Sequence, residues 1–104
     1  MTHKDFDVLL ERRLGLTRSV LASKSAEYSS TEDKLHNFKV AASLQSITSL
    51  EALRGMMAKH IVSVMDMIKA GKRVSQAYLD EKVGDTLNYL ILLEALMHDR
   101  GYVE

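Results

Sequence analysis

The sequence predicts an all-α fold, a four-helix bundle-like domain spanning residues 1–104, on three observations. There is no proline and there are only five glycines in 104 residues, so helix interiors meet few breakers. Apolar residues recur at three- and four-residue spacing in four stretches. Between those stretches stand residues that start and stop helices. The length suits one domain with one core, and no linker, low-complexity tract or internal repeat divides it.

The first helix is expected from about Lys4 to Tyr28. Phe6, Leu9, Leu10, Leu14, Leu21 and Ala22 form its apolar stripe, and Gly15 is the expected place of a bend. The segment SSTEDK at 29–34 reads as a connection, with Ser30 or Thr31 as N-cap. A shorter second helix carries Leu35, Phe38, Ala41, Ala42 and Gln45. Thr48 and Glu51 have capping-box spacing and open a third helix, whose stripe is Leu53, Met57, Ile61, Val64 and Ile68. Gly71 stops it, followed by Lys72 and Arg73. Ser75 caps the fourth helix, which runs to about Asp99, with Gly101 beyond.

Charge and composition narrow the function classes. Basic and acidic residues balance at 14 each, which argues against a general nucleic-acid binder or an anionic-membrane binder. A local basic pocket is compatible with that balance. No cysteine is present, which excludes disulfides, thiolate metal sites and a cysteine nucleophile. The opening MTHKDFDVLLERR is charged and lacks the apolar core of a signal peptide. No apolar run approaches the ~18 residues of a membrane span. The expectation is a cytoplasmic helical protein without membrane partners. With 46% hydrophobic residues in a short chain, pairing with copies of itself would add core, so a homo-oligomer is expected.

The fourth helix poses a question. Glu81, Asp85 and Asn88 recur at i, i+4, i+7 in a segment whose second half is almost continuously apolar. Ionisable groups are costly to bury unpartnered. The short connection GKRVS at 71–75 makes the third and fourth helices antiparallel neighbours. Folding back about residue 73 sets Asp66 opposite Asp80 and Glu81, Ser63 near Val83 and Gly84, and Lys59 and His60 beside residues 85–88. Lys59, Ser63 and Asp66 also follow i, i+4, i+7, so two helices share a polar seam.

That seam has a bland reading and a functional one. It is a solvated groove with exposed salt bridges such as Lys59–Asp85, or a pocket for a polar ligand. Lysine and histidine suit phosphate, and asparagine suits a base or sugar edge. Asp80, Glu81, Asp85 and Asp66 are hard oxygen donors of the kind magnesium prefers, although Lys59 in the same seam counts against a close cation cluster. His3, His36, His60 and His98 show no zinc spacing, and only His60 joins the seam. No nucleophile elbow, P-loop or dinucleotide fingerprint is present. The six methionines read as adaptable core or oligomer contacts. Tyr28 and Phe38 flank a polar segment and are either core or a stacking partner for a base.

Four segments together carry a family likeness: KSAEYS at 24–29, NFKVAA at 37–42, KH at 59–60 and DTLNYLILL at 85–93. Across residues 20 to 96 they resemble small phage proteins of the nucleotide-modification-associated type. These in turn are similar to MazG-like all-α nucleoside triphosphate pyrophosphatases. The resemblance implies a helical bundle, often a dimer or tetramer, with magnesium held by an E-E-x-x-E motif and a later E-x-x-D motif. The second motif commonly reads E-E-L-G-D. Here EKVGD at 81–85 matches at Glu81, Gly84 and Asp85, but Lys82 replaces a glutamate. In the earlier motif Lys59, His60 and Ser63 stand where three glutamates are expected.

Metal-assisted pyrophosphate cleavage needs anionic oxygens, so these departures remove the expected cage. The resemblance with its departures implies a phage-encoded nucleotide binder, holding a nucleotide or nucleotide-derived signal without turnover, for example a host defence messenger. The expected ligand contacts are Lys59, His60, Ser63, Asp85, Asn88, Tyr28 and Asn37, with no cofactor. The enzyme alternative is a divergent magnesium-dependent pyrophosphatase drawing on Glu27, Asp33, Asp66, Glu81 or Asp85. A third alternative is a module that binds a host protein through its methionine-rich surface.

Overall fold

The structure is a computed structural model that describes residues 1–24 and 33–104. Among the described residues the fold is all-α: α1 His3–Arg18, α2 His36–Gln45, α3 Ser49–Ala70 and α4 Gln76–Asp99. Ser19–Lys24 continues α1 as a π-helical stretch. The expected extension of the first helix to Tyr28, the N-cap at Ser30 or Thr31, and Glu27 all lie outside the described residues. None of the described helices is long and apolar enough to cross a membrane.

Local chemistry sets the helix ends. Thr48 accepts from the Glu51 N–H at 3.1 Å, and the Glu51 side chain accepts from the Thr48 N–H at 3.1 Å, completing the predicted capping box. Gly71 closes α3 at φ 62°, a left-handed conformation that costs glycine little. The Ser75 hydroxyl accepts from the Tyr78 N–H at 3.1 Å and opens α4. At the chain start, Thr2 and Asp5 form a second capping box. The bend expected at Gly15 is absent: α1 stays regular past it, and the departure from α geometry begins at Ser19.

The core lies where α2, α3 and the second half of α4 meet. Leu35, Phe38, Leu53 and Leu96 form it, and Met56, Met57, Tyr89, Leu92 and Leu93 pack against it. Phe38 is thereby a core residue. The same end is tied by Arg100, which donates to the Ser49 hydroxyl at 3.2 Å.

Contact with the first half of α4 fixes the position of α1. Here the structure corrects the predicted core face. Phe6, Leu9, Leu10 and Leu14 are 39–51% exposed. On α1 and its continuation, Arg13, Leu16, Thr17 and Val20 line a cleft against α4; Thr17 is buried and Arg13 half-buried there, while Leu16 and Val20 remain 38% and 37% exposed. On α3, Leu53 is buried and Met57 packs against the core, whereas Ile61 and Ile68 are exposed. Periodicity identifies residues that share a face, but it does not say that one chain covers that face.

Candidate functional site

Asp80 anchors α1 onto α4. Arg12 grips its carboxylate with both terminal nitrogens, at 2.9 and 2.8 Å. Arg13 adds a bond at 2.8 Å and Gln76 another at 3.0 Å. The Arg12 hydrogen bonds, followed by that of Gln76, hold the Asp80 carboxyl far below the usual carboxylate range against an opposing effect of burial, with the Arg13 hydrogen bond adding a smaller depression. Asp80 therefore pairs with α1, and Asp66 of α3 is exposed.

Just beyond this anchor, α1 and α4 enclose a cleft of about 140 Å³. Arg13 and Thr17 line it from α1, and Gly84, Asp85 and Asn88 from α4, with Leu16 and Val20 as an apolar wall. Gly84 explains the close approach: a Cβ there would stand 3.2 Å from Nη1 of Arg13, tighter than ordinary van der Waals contact. The glycine in the middle of α4 makes room for the arginine that α1 lays across it.

Two of the residues that line it each hold a buried side-chain oxygen with no hydrogen-bond partner among the described residues, Oγ1 of Thr17 and Oδ1 of Asn88. Thr17 is only 7% exposed. Buried polar groups almost always find partners, because an unmade bond there costs the full desolvation of the group. Thr86 shows the usual helical solution, donating to the Lys82 carbonyl at 2.8 Å. Thr17 does not adopt it.

Asp85 links the cleft to α3. Its carboxylate stands 3.8 Å from Nδ1 of His60, beyond a hydrogen bond but close enough for attraction when the imidazole is protonated. The His60 ring stacks on Tyr89, with centroids 5.0 Å apart and planes at 29°. The predicted antiparallel register thus brings His60 beside Asp85. Lys59 does not pair with Asp85; it is exposed and makes no ion pair among the described residues. Ser63 is half-buried on α3 and does not line the cleft. Glu81 points to solvent and lies 3.6 Å from its neighbour Lys82. Asn37 is exposed in the first turn of α2, away from the cleft lining, and Tyr28 lies outside the described residues.

The polar stripe of α4 therefore fans out: Glu81 faces water, Asp85 bridges to His60, and Asn88 turns into the cleft. Of the residues singled out from the sequence, Asp85 and Asn88 line the cleft and His60 lies beside Asp85; Arg13 and Thr17 were not among them. The available signal was the i, i+4 spacing of two polar residues beside Leu16 and Val20, masked by Leu9, Leu10 and Leu14, which precede them at three- and four-residue spacing. The donors that magnesium would need do not gather. Asp66, Glu81 and Asp85 form no common cluster, and no group of three metal-ligating side chains is present among the described residues.

No protein-family description, curated protein or solved structure matches this chain.

Proposed function

We propose that this chain binds a nucleotide or a nucleotide-derived signal in the α1–α4 cleft and the adjoining His60 seam, and holds it without turnover. The observation that carries the reading is the cleft between α1 and α4, where polar Arg13, Thr17, Asp85 and Asn88 converge beside Leu16 and Val20. Lys59 offers positive charge, and His60 an imidazole, for phosphate on the α3 side. Binding without cleavage follows from Lys59, His60 and Ser63 standing where carboxylates would be needed. The motif likeness motivates a phage setting, in which a sequestered host messenger is the ligand. An assembly of identical chains belongs to the same reading.

The test is mass spectrometry of small molecules released from purified protein after exposure to a nucleotide-rich extract. The expected result is an intact nucleotide retained in stoichiometric amount. Retention of none overturns the reading. Magnesium-dependent release of pyrophosphate from nucleoside triphosphates overturns the absence of turnover.

A further inference from the structure

The start of α1 is a helical arm left open to solvent. Thr2 and Asp5 begin it with a complete capping box, so the sequence specifies a helix from its first turn. Yet every residue from His3 to Arg12 is exposed, about three turns or roughly 15 Å of helix. Phe6, Leu10, Arg13 and Thr17 fall at i, i+4, i+7 and i+11, on one face. From Arg13 onward that face meets α4, at Asp80 and Gly84. Before Arg13 the same face continues as Phe6 and Leu10, with Leu9 beside them, and all three are exposed. So short a helix is marginal in water alone and draws its stability from covering its apolar face.

A second open face lies on α3. Ile61, Met65 and Ile68 stand at i, i+4, i+7 on the half of α3 beyond the core and are 41–67% exposed. Rows of exposed apolar side chains mark interaction sites, as single ones do not. The charges beside the two faces are opposite. Asp7 and Glu11 flank the arm's stripe four residues apart, Lys69 flanks that of α3, and Lys72 follows in the connection. None of these four has an ion-pair partner among the described residues. Two arms laid on each other would set these acids against their own copies, whereas an arm laid on α3 sets them beside lysines.

We infer that the arm of each chain docks on the open α3 face of a second copy, the two contacts being related by one twofold axis. In such an exchange each chain supplies both an arm and a seat, so the assembly closes as a dimer. The area fits a second copy: the chain exposes 7857 Å², about 2,000 Å² more than a folded monomer of 11.7 kDa, the scale of an obligate interface. The inference rests on the assembly of identical chains in the proposed function and names the surfaces that make it. It is independent of the nucleotide.

Sedimentation equilibrium of the full chain tests it, with helix content followed by circular dichroism. The parent is expected to be a dimer at micromolar concentration. Leu9→Glu on the arm and Met65→Glu on α3 are each expected to raise the dissociation constant about tenfold or more. Leu44→Glu, at an exposed position of α2 outside both faces, is expected to leave it unchanged. Asp7→Lys with Glu11→Lys is expected to weaken the dimer, and adding Lys69→Glu with Lys72→Glu to the same chain to restore it; this exchange of exposed charges decides the matter where an apolar variant fails to fold. A dimer weakened by the arm variants but not by Met65→Glu pairs arm to arm and overturns the α3 seat, as does a charge exchange that restores nothing. A dimer indifferent to both faces, or one weakened equally by Leu44→Glu, overturns the arm exchange and leaves an assembly of identical chains standing. A monomeric parent overturns both, and retention of a nucleotide is decided separately by the mass-spectrometric test.

Discussion

Asp80 does most to position α1, and its effect is set by pH. Arg12, Gln76 and Arg13 hold its carboxyl well below the ordinary value in the folded chain. A depressed pKa contributes stability above the unfolded value, about 3.9, and that contribution drains away as pH falls from there toward the folded value. Asp80→Asn lacks it at every pH. Thermal unfolding should show the variant melting below the parent at pH 7 and the gap closing below about pH 4. A gap that stays constant down to pH 2 contradicts the ion-pair account. Lys59 tests the other edge of the site. It is exposed and unpaired among the described residues, so Lys59→Ala should leave the melting temperature within experimental error. If it meets a ligand phosphate, affinity for a retained nucleotide should drop about ten- to hundredfold, the worth of one charge-assisted hydrogen bond. Unchanged affinity in calorimetry removes Lys59 from the site.

Helix ends were legible because capping is local chemistry. Thr48 with Glu51, Gly71, Ser75 and Gly101 all mark ends of α3 and α4, and each role depends on a few neighbouring residues. Thr48→Ala should cost about 1 kcal/mol, which corresponds to a fall in melting temperature of about 4–8 °C in a domain of this size. No change on thermal unfolding would mean that the α3 start is held by packing alone. The α3–α4 register was legible for a similar reason, since a short connection leaves two antiparallel helices little freedom, and His60 does lie beside Asp85. The face of α1 was not legible. Its leucines stand at three- and four-residue spacing from Arg13 and Thr17, and only Asp80 and Gly84 on another helix reveal that Arg13 meets α4. Half of the candidate site was therefore hidden in the pairing of two elements distant in sequence.

At the scale of the whole molecule, the chain exposes more surface than its mass warrants. A folded monomer of 11.7 kDa exposes about 5,900 Å², whereas this chain exposes 7857 Å². Its radius of gyration is 15.8 Å against about 13 Å for a compact domain of this length. Phe6, Leu9, Leu10 and Leu14 on α1 are among the exposed apolar residues. A surplus of about 2,000 Å² per chain is the scale of an obligate homo-oligomer interface. Light scattering at micromolar concentration should return at least twice the chain mass, and Leu14→Glu should reduce it; a monomer for the parent protein contradicts the assembly. The central claim is that a nucleotide sits between α1 and α4, next to His60. Its most direct measurement is a nuclear magnetic resonance titration of ¹⁵N-labelled protein with an equimolar mixture of the common nucleotides. The predicted result is saturable shifts at Thr17, Gly84, Asp85 and Asn88, including the Asn88 side-chain amide, with His60 following. An unshifted spectrum, or shifts confined to residues away from this cleft, contradicts it.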